Sequence, residues 1–286
     1  MKNYVIYHSA DFDGIFCREI AKKFLPSAEL IGWNYGDPTP EIPLDANLYM
    51  LDISIDGLMN HPNLIWIDHH KSAIEKFNKD IVGYRIDGVA ACRLAWQWFC
   101  YIASRGLNPP TKEDYVDRIV SEPWAVRLAG EYDIWDKRDD DAELFQHGLR
   151  SEELTSSIWD ALLGLEHSGS LVVRLLNQGR ALQFYRTKEN ASIIKEIGFT
   201  FKWEGLTFLA CNAARYNSLL FTAGLTPEHD ACFGFKWTGK DWSVSLYHAP
   251  GKEHHDLSLI AVKYGGGGHR GACGFKTNNL QFLNQV

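Results

Sequence analysis

The sequence lacks the features of a membrane protein or of a protein held by disulfides. No apolar stretch reaches the roughly 18 residues of a membrane-spanning helix, and the apolar run at residues 4–7 is too short for a signal peptide. The six cysteines form no CxxC motif and mostly have apolar neighbours, so we expect reduced thiols in a core. We therefore expect a cytoplasmic protein with no membrane partner.

Positive charge is also scarce. Lys and Arg number 29 against 36 Asp and Glu, which leaves a net charge of −7. Binding to long duplex DNA needs a basic face, so we do not expect that partner. A short phosphate-bearing ligand stays compatible, because a metal centre or a helix N-terminus can bind it within an acidic protein.

What the sequence does contain is a regular alternation of short apolar runs and amphipathic segments in its first half. Apolar residues make up 45% of the 286 residues, which is typical of a folded chain of about two domains. The alternation predicts an α/β domain with a parallel sheet and helices on both faces, with sites beyond the carboxyl ends of the strands. The predicted strands are residues 4–7, 28–33, 48–53 and 64–67, and the predicted helices are 15–24, 73–77 and 89–104.

The second half has a different pattern. Residues 111–196 are typical of helices broken at Pro123, and residues 171–197 predict one long connecting helix. Two hairpins are then indicated, by residues 199–211 around Glu-Gly and by residues 232–247 around Thr-Gly-Lys-Asp. We therefore predict a parallel-sheet domain at residues 1–165, a helical linker at 166–196, and a smaller mixed α/β domain at 197–286.

Ionisable residues follow three of the predicted strands. One carboxylate of this kind could cap a helix, but parallel strands bring all three ends together. Crowded carboxylates repel one another by several kcal/mol unless cations lie between them, which predicts a divalent metal centre. Asp and His ligands without thiolate favour Mn²⁺ over structural Zn²⁺, with Mg²⁺ or Co²⁺ as alternatives. The residues are His8, Asp11 and Asp13 after the first strand, Asp52 at the end of the third, and Asp68, His69 and His70 after the fourth.

Two further segments carry candidate site residues. In the acidic run at residues 131–141, Asp133 is the favoured metal ligand and Asp136 the alternative, while the rest is typical of a solvated loop. Four glycines at residues 265–268 lead into His269 and Arg270, an arrangement that lets the backbone approach an anion and so predicts a phosphate or nucleotide clamp.

Taken together, these motifs resemble the DHH phosphoesterase superfamily, named for the Asp-His-His at residues 68–70. Residues 265–275 resemble the Gly-Gly-Gly-His signature of its C-terminal DHHA1 domain, and the resemblance spans nearly the whole chain. It implies that residues 1–165 are the catalytic domain and that the active site lies in the cleft. It implies that Asp68 orients the histidines and that His70 contacts the scissile phosphate. It also implies one Mn²⁺ held by His8, Asp11 and Asp52, a second held by Asp13, Asp52, His69 and Asp133, and substrate binding by Gly267, Gly268, His269 and Arg270.

The resemblance implies a hydrolase that attacks phosphorus with a metal-activated water. The favoured substrates are short nucleotidic ones: oligoribonucleotides, dinucleotides or a 3′-phosphorylated nucleotide such as pAp. A polyphosphate or pyrophosphate hydrolase and a non-catalytic nucleotide sensor are the alternatives. A homodimer is left open.

Overall fold

The apolar runs of the first half form a parallel sheet. The computed structural model describes residues 1–77, 80–105, 111–115, 117, 121–136, 138–165, 168–281 and 283. Within these residues the predicted parallel arrangement is confirmed, in the order β2-β1-β3-β4. The strands are β1 (Asn3–His8), β2 (Glu29–Trp33), β3 (Asn47–Leu51) and β4 (Leu64–Ile67).

Helices follow the strands and then continue through the middle of the chain. The first three lie close to the predicted ranges, and the predicted long helix begins at Ser168. The parts of the helical prediction at residues 116, 118–120, 137, 166 and 167 lie outside the described residues. The helices are α1 (Phe12–Phe24), α2 (Lys71–Lys76), α3 (Ala91–Arg105), α4 (Trp124–Asp133), α5 (Asp141–Leu149), α6 (Ser156–Leu162) and α7 (Ser168–Ile197).

Both faces of the parallel sheet are buried, because successive side chains of a strand point to opposite faces. Val5 and Leu51 pack on one face with residues of α1 and α3. Ile6 and Trp66 pack on the other face, together with Ala73 of α2. This two-sided burial fixes the strands rigidly and holds their carboxyl ends in place.

A mixed sheet follows α7, and both predicted hairpins are confirmed as the antiparallel pairs β5–β6 and β7–β8. The order within the described residues is β5-β6-β7-β8-β10-β9, with β6 and β7 parallel. The elements are β5 (Phe199–Trp203), β6 (Leu206–Asn212), β7 (Ala231–Trp237), β8 (Trp242–His248), α8 (Leu257–Lys263), β9 (Gly267–His269) and β10 (Ala272–Thr277).

The chain divides into two compact units, Met1–Leu182 and Gln183–Val286, with the division inside α7. The predicted linker at 166–196 begins at a residue outside the described ranges, and the three-part division stays a prediction. All six cysteines are free thiols, and Cys100 alone among them is not fully buried. Among the described residues, every helix is too short or too polar to cross a bilayer.

Candidate metal centre

The ends of three neighbouring strands bring the predicted ligands to one edge of the parallel sheet. His8 is the last residue of β1, while Asp52 and Asp68 directly follow β3 and β4. Because β1, β3 and β4 are adjacent and parallel, these residues meet as the alternation predicts. The start of α1 adds Asp11 and Asp13, and the end of α4 adds Asp133.

His69 lies at the centre of one group of carboxylates. Its Nε2 is 3.3 Å from Asp52 Oδ1, 3.3 Å from Asp133 Oδ2 and 3.5 Å from Asp13 Oδ2. Its side chain is only 13% exposed, so little water enters between these atoms. Three carboxylates facing one ring nitrogen form a pocket whose chemistry suits a cation.

A second group surrounds His8. Its Nδ1 lies 3.0 Å from Asp11 Oδ2 and 3.5 Å from Asp52 Oδ2. Asp52 thus faces His8 with one oxygen and His69 with the other, so it stands between the two groups. Three sets of side chains have ligand atoms close enough together to hold a metal ion: His8, Asp11 and Asp52; Asp13, His69 and Asp133; and Asp52, His69 and His70.

Asp52 provides the clearest test of whether a metal fits. It is 1% exposed, and within the described residues neither carboxylate oxygen accepts a hydrogen bond. A buried carboxylate without a donor is costly, and a cation between the neighbouring histidines and carboxylates would satisfy both oxygens. Its φ of 61° is the left-handed conformation, which is uncommon outside glycine and occurs often at functional sites.

The two aspartates of α1 also cap helices, so the capping and ligand interpretations apply together. Asp11 Oδ1 accepts the Gly14 N–H at 3.1 Å and begins α1. Asp13 accepts N–H groups at the start of α3, from Ala91 at 2.8 Å and from Cys92 at 2.7 Å. Nothing in the local sequence indicates the second contact, because it joins residues far apart in the chain.

Asp68 holds His70 rather than facing the two groups. Asp68 is fully buried, and its Oδ1 lies 2.7 Å from His70 Nδ1 and accepts the N–H of His69 at 2.7 Å. Its Oδ2 accepts the Trp66 Nε1–H at 3.0 Å. With Nδ1 engaged, His70 presents Nε2 as its available ring nitrogen.

The pKa shifts of Asp13, Asp133 and His8 indicate a site that favours positive charge. Burial, followed by the charges of Asp52 and Asp133, raises the pKa of Asp13 well above its usual range. Burial and then Asp52 raise the pKa of Asp133 to about 6. Contact with Asp11, and next with Asp52, raises the pKa of His8 to about 10. The Asp13 carboxylate therefore favours a proton, or a cation in its place.

The two alternatives in the acidic run lie in different surroundings. Asp133 ends α4 and lies beside His69, whereas Asp136 contacts Arg138. Trp135 between them has a φ of 54° and is 53% exposed. The structure thus brings Asp133 to the centre.

The predicted substrate-binding residues lie in the second unit. Gly267, Gly268 and His269 form the exposed strand β9, paired with β10 beside a concave surface of the sheet. Arg270 donates from Nη2 to the His254 carbonyl at 2.8 Å, so its guanidinium supports the neighbouring loop. Substrate binding by these four residues stays a prediction.

Comparison with family models finds no match, nor does comparison with curated proteins. Solved structures do share the fold. The pGpG-specific phosphodiesterase PggH from Vibrio cholerae is 13% identical, with a TM-score of 0.56 over 100% of this chain and 96% of that one. An exopolyphosphatase-related protein from Bacteroides fragilis is 12% identical, with a TM-score of 0.52 over 98% and 88%.

A third structure is a DHH domain described as a member of a family of ribosomal proteins. It is 14% identical, with a TM-score of 0.54 over 96% of this chain and 82% of that one. Each of the three comparisons covers nearly the whole of this chain. The chain therefore shares the fold of these three structures, one of which is a DHH domain, and this agrees with the resemblance in its motifs.

Proposed function

We propose that the chain is a Mn²⁺-dependent phosphoesterase that hydrolyses short nucleotidic substrates. The observation that carries the proposal is the contact of His69 with Asp13, Asp52 and Asp133 and of His8 with Asp52. Asp52 is buried, and its carboxylate accepts no hydrogen bond from the described residues. The set contains only carboxylate and imidazole ligands, which suits Mn²⁺, Mg²⁺ or Co²⁺ more than structural Zn²⁺.

The residues would divide between two ions that share Asp52. His8 and Asp11 would hold one, while Asp13, His69 and Asp133 would hold the other. When bound, such ions polarise a phosphoryl group and make water nucleophilic at neutral pH. The buried position of Asp13 and Asp52 keeps this charge in a low-dielectric setting, where it acts strongly.

His70 is the residue placed to contact the substrate phosphate. Its Nδ1 faces the buried Asp68, which fixes the ring and stabilises its protonated form. The hydrogen bond to Asp68 raises the pKa of His70 and so favours the protonated ring. A protonated Nε2–H donates to a phosphate oxygen and lessens the charge that builds up as the ester bond breaks.

The proposed substrates are dinucleotides, short oligoribonucleotides or pAp. The net charge of −7 disfavours long polyanions, which need a basic channel. The structural neighbour from Vibrio cholerae is named as specific for pGpG, a linear dinucleotide, which supports the same size of substrate.

The test is a turnover assay with Mn²⁺ against pApA, pGpG, pAp, pyrophosphate and polyphosphate. We expect hydrolysis of the nucleotides, with products resolved by length. Asp52→Asn is the matched control, because it keeps the size of the side chain and removes the shared charge. The variant should lose activity by roughly a hundredfold or more. Wild-type activity in that variant would overturn the metal assignment.

A polyphosphate or pyrophosphate hydrolase is the second candidate, favoured by the exopolyphosphatase-related neighbour. It would use the same centre without recognising a base. Faster hydrolysis of pyrophosphate than of pApA would establish this alternative. Nucleotide binding without turnover, at full metal occupancy, would instead indicate a sensor.

A further inference from the structure

We propose that Arg150 binds a second phosphate of the substrate, one that is not cleaved. The inference rests on the proposed function and narrows its substrate class to nucleotides that carry a phosphate besides the scissile one. Arg150 is the exposed residue that directly follows α5, and no motif in the sequence singles it out.

The position of Arg150 is set by two aromatic rings that are sequence neighbours of proposed metal ligands. Its guanidinium carbon lies 5.7 Å from the centre of the Phe12 ring and 5.5 Å from that of Tyr132. Phe12 stands between Asp11 and Asp13, and Tyr132 immediately precedes Asp133. Arg150 thus contacts the two helices, α1 and α4, that carry Asp13 and Asp133.

Arg150 also differs from the other arginines of this region in its charge partners. Arg127 pairs with Asp139 at 3.3 Å, and Arg138 pairs with Asp117 at 2.7 Å. Across the described residues no carboxylate comes within ion-pair distance of Arg150, although the chain as a whole is acidic. Its guanidinium lies against two aromatic rings, and no carboxylate of the described residues neutralises its charge.

This arrangement suits an anion. A guanidinium beside an aromatic ring keeps its N–H donors, and their fork matches two phosphate oxygens. The ring contacts restrict the motion of the side chain, so less entropy is lost when it binds. The scissile phosphate belongs to the metal centre, so the anion at Arg150 is a second phosphate of the same substrate.

The experiment compares pApA with ApA, which share the scissile bond but differ in the 5′-phosphate. Steady-state kcat and KM are measured with Mn²⁺ for the wild type, Arg150→Met and Arg150→Lys. Arg174→Met is the matched control, since Arg174 is an exposed arginine of the same unit that pairs with Glu152 at 2.6 Å. Manganese affinity and melting temperature are recorded for every variant.

We expect Arg150→Met to raise the KM for pApA roughly tenfold or more, in line with the loss of a charged hydrogen bond. The KM for ApA and the affinity for Mn²⁺ should stay at wild-type values. Arg150→Lys should recover part of the loss, because it keeps the charge without the fork. Arg174→Met should match the wild type on both substrates.

An unchanged ratio of the KM values for pApA and ApA in Arg150→Met would overturn the proposal. Equal losses on both substrates, with weaker metal binding or a lower melting temperature, would show a structural role and would overturn it as well. If the wild type cleaves neither compound, the proposed function is wrong, whatever the role of Arg150. Binding of pApA and ApA, measured by calorimetry, then tests Arg150 separately. The wild type should bind pApA more tightly than ApA, and Arg150→Met should lose this difference.

Discussion

The Cys92 N–H donates to Asp13 Oδ1 at 2.7 Å, so a predicted metal ligand also fixes the start of α3. The Ala91 N–H donates to the other oxygen of the same carboxylate at 2.8 Å. These bonds tie α1 to α3, two helices packed on the same face of the sheet. A single buried side chain thus contributes both to folding and to the charge of the centre.

Replacing Asp13 should therefore reduce stability even without metal. Asp13→Ala leaves two buried N–H groups without an acceptor, and we expect the free energy of unfolding to fall by about 2 kcal/mol. Asp13→Asn keeps one acceptor and should lose about half as much. Urea unfolding in the presence of a chelator measures both changes. An Asp13→Ala protein as stable as the wild type would contradict the capping role.

Replacing Asp52 should affect metal binding much more than the stability of the metal-free protein. Its buried carboxylate accepts no hydrogen bond within the described residues, and Asn tolerates the left-handed backbone at this position. Asp52→Asn removes a charge that repels Asp13 and Asp133 but also attracts His8 and His69, so the stability of the metal-free protein should change little. Melting temperatures with and without Mn²⁺ measure this difference. The wild type should gain about 3 kcal/mol at a hundredfold excess over the dissociation constant, and the variant should gain little.

The sequence predicts the residues of this centre that lie at the ends of strands. It does not predict the contacts that join segments far apart in the chain. His8, Asp52 and Asp68 follow from pattern alone, because apolar runs mark strands and parallel strands align their ends. The contact of Asp13 with Cys92 could not be predicted, since it depends on the packing of α1 against α3. The same holds for Arg150, whose neighbours come from two other helices.

Asp68 is expected to affect catalysis without serving as a ligand. Its Oδ1 lies 2.7 Å from His70 Nδ1, whereas its Oδ2 accepts from Trp66. Asp68→Asn places an amide N–H₂ against one of these donors and releases the His70 ring, so kcat should fall roughly ten- to a hundredfold. Calorimetric titration with Mn²⁺ should give the wild-type stoichiometry. Loss of metal together with activity would assign Asp68 to the metal itself.

Gly14 permits the close approach of β1 and α1 that brings His8 to Asp11. A Cβ added at Gly14 would overlap the carbonyl oxygen of His8. We expect Gly14→Ala to cost about 2 kcal/mol in the free energy of unfolding and to weaken Mn²⁺ binding. Gly169→Ala in α7 is the control, because a Cβ there meets no described atom and should be neutral or slightly stabilising. Equal stability of the two variants would contradict the steric argument.

The second unit offers a pH-dependent interaction that involves none of the proposed metal ligands. Asp230 accepts the Thr207 N–H and the Lys252 Nζ–H, each at 2.9 Å, and His255 Nε2 lies 3.6 Å away. The Thr207 hydrogen bond, followed by Lys252, lowers the pKa of Asp230 below its ordinary value of 3.8. The folded state therefore favours the ionised carboxylate, which stabilises the unit above the ordinary pKa and ceases to do so as the pH falls.

Asp230→Asn should therefore lower the free energy of unfolding by about 1 kcal/mol at pH 7. The difference from the wild type should shrink below about pH 4 and vanish once Asp230 is protonated in the folded protein. Lys252→Met keeps the backbone bond and removes the cation, so its stability should begin to fall at a higher pH than that of the wild type. Urea unfolding between pH 7 and pH 3 measures all three proteins. A deficit in Asp230→Asn that stays constant across this range would show that the stabilisation does not depend on ionisation, because only a charged partner makes it sensitive to acid.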